Sequence, residues 1–180
     1  MMKYCAFLRG VNVKGTAMKM AEVCNVFSKA GVENVSSVLA TGNILFTSEK
    51  EPSELKIILE KYLSDYFNYE AVLFIKSEKE LGDIISRNPF RKLDDFHVYT
   101  FIGQKDVAEI LLEEFESTLK IENEKGEIVD DVFYWQITKG NTLDSDFGKI
   151  LGRKALKDKM TSRNINTIEK IATKFNNWSE

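Results

Sequence analysis

The sequence predicts an α+β protein with mainly antiparallel sheets, arranged as two lobes of related element order. Three observations predict this. Short runs of strand character alternate with stretches whose apolar residues recur at helical spacing, so neither type of element dominates. Thr41-Gly42-Asn43 stands directly between two extended runs, which marks a hairpin and hence antiparallel pairing. After residue 76 the order strand, helix, strands, helix begins again, although no residue-level repeat is visible.

Lys3 to Leu8 is apolar on both faces, as a central strand is, and ends at Arg9-Gly10. A helix follows from about Met18, with Met20, Val23, Cys24 and Phe27 at i, i+3, i+4 and i+7 and Gly31 as its stop. Val35 to Ala40 and Ile44 to Thr47 read as the hairpin strands. Pro52 opens a second helix whose apolar stripe is Leu55, Ile58, Leu59, Tyr62, Leu63 and Tyr66. Ala71 to Ile75 reads as a buried strand, so residues 1–76 spell a βαββαβ-type, ferredoxin-like lobe.

Ser77 and Glu80 form a capping box for a third helix carrying Leu81, Ile84 and Ile85, ended near Asn88 by Pro89. Phe96 to Ile102 is a strand, and Val107, Ile110 and Leu111 mark a helix. Leu119 to Glu122, Glu127 to Val129 and Val132 to Ile137 read as a meander turning at Asn123 to Gly126. A short helix around Phe147 to Leu151, a basic connection and a last helix carrying Ile168, Ile171, Ala172 and Phe175 complete the second lobe, residues 77–180. The expected architecture is two packed ferredoxin-like lobes, close enough to count as one compact domain.

Composition narrows the function classes. With 180 residues, 43% of them hydrophobic, the chain has the material for a core, and a chain this long buries about 70% of its unfolded surface. The net charge of −3 provides no general attraction for nucleic acid or anionic lipid. Its distribution is uneven. Asp106 to Asp131 holds ten acidic residues against Lys120 and Lys125, whereas Lys149 to Arg163 holds six basic residues against Asp158. Such runs are most simply solvated faces; the basic one is also the basis of a nucleic-acid reading. Cys5 and Cys24 form no CxxC pair and read as reduced core residues. Arg9 interrupts the apolar stretch that begins at Tyr4, and no apolar run approaches the ~18 residues of a membrane span. A cytoplasmic protein without membrane partners is expected.

The motifs exclude more than they assign. Arg9 to Thr16 joins a strand to a helix, the setting of phosphate-binding loops, but Thr16 directly follows Gly15 and the Walker lysine is missing. GxGxxG is absent too, so the loop reads either as a plain connection or as an anion site using Arg9, Lys14 and loop amides. His97 is the one histidine and shares a strand face with Tyr99 and Phe101; it is a weak catalytic candidate, and its solitude excludes histidine-pair zinc sites. Asp144-Ser145-Asp146 and Asp130-Asp131 read as turn or surface pairs, so no metal and no cofactor are expected. Thr41 to Phe46 lacks the basic-Gly-aromatic pattern of an RNA recognition motif. Thr161 and Ser162 read as caps of the last helix, and Arg163 as a cation near its positive end that calls for an anion or an acidic neighbour.

Tyr4-Cys5-Ala6-Phe7-Leu8-Arg9-Gly10-Val11-Asn12-Val13-Lys14-Gly15, Thr41-Gly42-Asn43-Ile44-Leu45-Phe46, Arg87-Asn88-Pro89-Phe90, His97-Val98 and Thr161-Ser162-Arg163-Asn164-Ile165-Asn166-Thr167 together resemble the DUF1697 family of bacterial proteins. The resemblance spans nearly the whole chain in order. It implies an α+β protein with ferredoxin-like substructure, and brings no established activity and no catalytic residues. Lys14 stands where the family's first loop usually has the first of two glycines. The working expectation is a phosphorylated small molecule or nucleotide bound in an inter-lobe groove by Arg9, Gly10, Asn12, Lys14, Gly42, Asn43, Arg163 and Asn164, because guanidinium and carboxamide groups suit anionic or planar partners. The alternatives are nucleic-acid binding through residues 149–163, a metal-independent enzyme using His97, and a protein-interaction module.

Overall fold

The computed structural model describes residues 1–11 and 18–178, apart from the Lys157 side chain. The chain divides into two compact units, Met1–Leu81 with Lys170–Glu180, and Gly82–Glu169. The end of the chain thus belongs with the first unit, where a single division at residue 76 assigns it to the second lobe.

In the first unit β1 (Met2–Leu8), α1 (Met20–Lys29), β2 (Glu33–Val38), β3 (Asn43–Ser48), α2 (Pro52–Phe67) and β4 (Leu73–Ser77) form an antiparallel sheet in the order β2-β3-β1-β4. This is the ferredoxin-like arrangement. Alternation in β1 sends Tyr4, Ala6 and Leu8 into a core with Phe27 of α1 and Leu55, Leu59 and Leu63 of α2. Cys5 and Phe7, on the opposite face, are fully buried as well, which is why the run is apolar throughout. Each buried Leu or Phe contributes roughly 1.5–3 kcal/mol of transfer free energy. Both cysteines are free.

The stripe of α2 is narrower than its sequence predicts. Leu55, Leu59 and Leu63 are fully buried, whereas Tyr62 and Tyr66 are 42% and 53% exposed. The sheet covers only the row along i, i+4, and Tyr66 instead meets the Lys29 ammonium 5.9 Å above its ring.

The capping box forms as expected at the start of α3 (Glu78–Ser86): Ser77 N donates to Glu80 Oε2 at 2.8 Å and Glu80 N to Ser77 Oγ at 3.3 Å. Desolvation raises the Glu80 carboxyl, but hydrogen bonds from Lys76 and Ser77 outweigh it and hold the group below the usual carboxylate range.

The second unit repeats the plan with β5 (Phe96–Gly103), α4 (Val107–Ser117), β6 (Lys125–Val129), β7 (Val132–Thr138), α5 (Asp146–Ile150), α6 (Lys154–Lys157) and β8 (Met160–Asn164), in the antiparallel order β6-β7-β5-β8. The last helix, α7 (Ile165–Asn176), follows and contains the unit boundary. The core is aromatic: Phe147 has the rings of Trp135, Phe115 and Phe133 at 5.2, 5.3 and 5.6 Å.

Two local expectations are corrected. Leu119 to Glu122 is not a strand but part of a turn, held where Ile121 N donates to Glu124 Oε2 at 3.1 Å, and Gly126 lies inside β6 rather than in the turn. Thr161 and Ser162 do not cap the last helix; they pair with β5 in edge strand β8, and the cap is Asn164, whose Oδ1 accepts from Asn166 N at 2.9 Å. The strand's polar, short sequence carries no strand signal, and pairing with β5 overrides that local preference.

Candidate functional site

The first group of expected site residues lies at one end of the first sheet. Gly10 and Gly42 have φ of 76° and 77°, conformations that glycine adopts without strain. A Cβ on Gly42 would stand 2.5 Å from Val11 Cγ2, and Gly42 O accepts from Leu8 N at 2.8 Å, so this glycine closes β1 against the β2–β3 turn. Asn43 is fully buried and donates from Nδ2 to Val38 O at 2.9 Å and Thr41 Oγ1 at 3.0 Å. These groups hold the hairpin. Arg9 is half-buried, its N–H bonded to Val72 O, and the residue has further partners. Asn12 and Lys14 lie outside the described residues.

His97, Arg163 and Asn164 belong to the second unit. Asn164 Oδ1 accepts from Asn166 N at 2.9 Å, which fixes the carboxamide so that Nδ2 faces His97 Nδ1 at 3.0 Å. His97 therefore accepts at Nδ1 and carries its proton on Nε2, an assignment made from the bonding pattern. Desolvation, then the Lys139 charge, push its pKa below 6.5. Arg163 Nη1 donates to Thr161 Oγ1 at 2.7 Å and Ser162 O at 2.8 Å. Arg87 pairs with Asp130 at 2.7 Å and Asn88 Oδ1 accepts from Phe90 N at 3.1 Å, so these motif residues pin loops.

The opposed charge runs are partly neutralised within the unit. Arg153 faces Glu114 at 3.5 Å and Lys149 faces Asp146 at 3.2 Å, on the rim of a surface hollow that also includes Ser117 and Leu119. Glu124, which the sequence reading left in a turn, is a buried carboxylate: it accepts from Trp135 Nε1 at 2.9 Å and from Ser145 Oγ at 2.7 Å. Its lone pairs are filled by protein donors. Among the described residues there is no cluster of three or more metal-ligating His, Cys, Asp or Glu side chains, and no helix long and apolar enough to cross a membrane.

A different place collects unspent hydrogen-bonding capacity. On the sheet face of the first unit away from α1 and α2, a pocket of about 560 Å³ is lined by Met1, Lys3, Asn34, Ser36, Thr47, Asn177 and Trp178. Lys3 and Thr47 are direct cross-strand partners, and β2 carries a register shift between Glu33 and Ser36 with Asn34 at φ 53°. Bulges of this kind re-aim side chains. Two lysines tie the end of α7 to the sheet: Lys3 Nζ donates to Phe175 O at 3.2 Å and Lys174 Nζ to Ser37 O at 2.9 Å. A cation on a C-terminal helix carbonyl is favourable. The tie holds Trp178, whose ring stands edge-on to Phe175 at 5.2 Å, as one wall.

Ser36 Oγ is buried without a hydrogen-bond partner. The Tyr69 and Thr100 hydroxyls share that condition, and neither residue lines this pocket. No sequence signal pointed to this place. Its residues carry no motif and come together only through strand register and the returning tail.

Two ferredoxin-like units, each a four-stranded antiparallel sheet with helices, define the class of protein. The chain belongs to the family described as "Protein of unknown function (DUF1697)", which matches residues 1–134. Among solved structures it is similar to the conserved bacterial protein SP0830 from Streptococcus pneumoniae, with a TM-score of 0.79 and 23% identity over 98% of this chain and 99% of that one. The likeness is one of fold. No match was found among curated proteins.

Proposed function

We propose that this protein binds a small polar molecule in the pocket between Lys3, Ser36, Thr47 and Trp178. The observation that supports the reading is the lining of that cavity, which brings together the Lys3 ammonium, two carboxamides, the Thr47 hydroxyl and an indole beside Ser36, whose own hydroxyl is closed off from solvent without a partner. A buried hydroxyl left unpaired costs about 1–3 kcal/mol, and a Ser36 rotamer turned into the cavity toward a ligand removes that cost. The cavity volume falls in the range of about 300–1,000 Å³ usual for small-molecule sites.

The test is thermal unfolding and Trp178 fluorescence across a metabolite panel. Ser36→Ala is expected to leave the free protein as stable or slightly more so, while ligand-dependent stabilisation falls. A ligand whose affinity is the same in wild type, Ser36→Ala and Trp178→Ala defeats the proposal.

A second reading, confined to the first unit, places a phosphorylated metabolite or nucleotide at Arg9 and Gly10, supported by the guanidinium chemistry there. Stabilisation by a phosphorylated ligand should then vanish in Arg9→Ala, and its survival discards this version.

A further inference from the structure

Resting on the pocket reading above, we infer that the ligand of the Lys3–Trp178 pocket is a nucleobase or its nucleoside, and not a phosphorylated nucleotide. Hydrogen-bond sense comes first. Asn34 Nδ2 donates to Thr47 Oγ1 at 3.1 Å, so Thr47, having accepted, keeps its own proton to donate, and Asn34 keeps Oδ1 as an acceptor. Asn177 adds a second carboxamide to the lining. A carboxamide presents N–H and C=O side by side, the complement of the adjacent donor and acceptor on a nucleobase edge.

Shape and charge agree. The half-buried Trp178 indole is a surface on which a planar heterocycle stacks, and stacking is indifferent to which base is presented. Beside the Met1 α-ammonium, Lys3 supplies the only cationic side chain among the seven lining residues. Its ammonium is already shared between Glu78 Oε1 at 3.4 Å and Phe175 O at 3.2 Å. A phosphate monoester carries about 1.5–2 negative charges at neutral pH and is typically held by guanidinium pairs or several converging N–H groups. No arginine lines this pocket.

Calorimetric titration of the full chain with adenosine, guanosine, cytidine and uridine, and with their 5′-monophosphates, tests the assignment. At least one nucleoside is expected to bind, its monophosphate at least tenfold more weakly. Asn34→Gly, which suits the positive φ while removing the carboxamide, should weaken the nucleoside at least tenfold; Asn177→Ala, at an exposed position, should weaken it too and keeps the test decisive where the glycine variant loses stability. A monophosphate that binds as tightly as its nucleoside, or the failure of all four nucleosides, overturns the inference. A ligand of another class that requires Ser36 and Trp178 sinks the nucleobase assignment but leaves the pocket; nucleoside binding unchanged in Trp178→Ala sinks the pocket itself.

Discussion

The two units share one strand order and differ in how their polar groups are satisfied. In the second unit most of them close on one another, the buried Thr100 hydroxyl excepted: Glu124 takes the donors of Trp135 and Ser145, Asn164 bridges His97 and Asn166, and Arg153 meets Glu114. In the first unit one sheet face keeps an unpaired hydroxyl, a bulged strand and a partly exposed tryptophan around a cavity. Closed networks rigidify a scaffold, whereas unspent capacity beside a cavity marks a place for a ligand. The family motifs fall mainly in turns and loop anchors, and the pocket lies elsewhere.

The contrast is most sharply broken at Glu124. Glu124→Ala strands the buried Trp135 N–H and Ser145 hydroxyl, and is expected to cost about 3 kcal/mol in urea unfolding without changing ligand affinity. Gly42→Ala comes next. It combines positive φ with a 2.5 Å approach to Val11, and is expected to cost about 2 kcal/mol by the same measurement. An unchanged midpoint in either variant removes the structural role given to that residue.

Smaller effects separate the unpaired hydroxyls. Tyr69→Phe and Ser36→Ala each delete a buried oxygen without a partner, and each should raise stability by up to about 1 kcal/mol. Only Ser36→Ala should weaken the ligand. Burial, with a smaller contribution from Glu60, pushes the Tyr69 phenol up to about 12, so its titration plays no part below pH 9 or so.

The smallest expected effect is a pH slope at His97. Its folded pKa lies below the ordinary 6.5, so the unfolded chain binds the proton more readily. Stability is therefore full above about pH 6.5 and declines as pH falls through the folded value, because burial first and the Lys139 charge second disfavour the imidazolium. The difference between wild type and His97→Gln across pH 5–8 isolates this slope. Parallel curves for the two proteins contradict a lowered His97 pKa.

Much of the fold was legible in the sequence. Lys3 to Leu8 announced a central strand, Gly31 and Pro52 punctuated two helices, and Ser77 with Glu80 capped a third, since each signal acts over a few residues. The second unit was read less well. Leu119 to Glu122 is apolar enough to pass for a strand, and what bends it into a turn is a carboxylate held by Trp135 and Ser145, far along the chain. Strand β8 was missed because edge pairing does not require an apolar pattern.

By itself the sequence determined the α+β class, the element order of the first unit and the loop-holding roles open to glycine and asparagine, because turn chemistry and periodicity are local properties of the chain. Only the tertiary structure decided where a cavity lies. Lys3, Asn34, Ser36 and Thr47 meet through the register of three strands and a bulge, and Trp178 joins them through two lysine bonds that reach across more than a hundred residues. Such long-range closure follows from packing as a whole, and no short stretch of the chain encodes it.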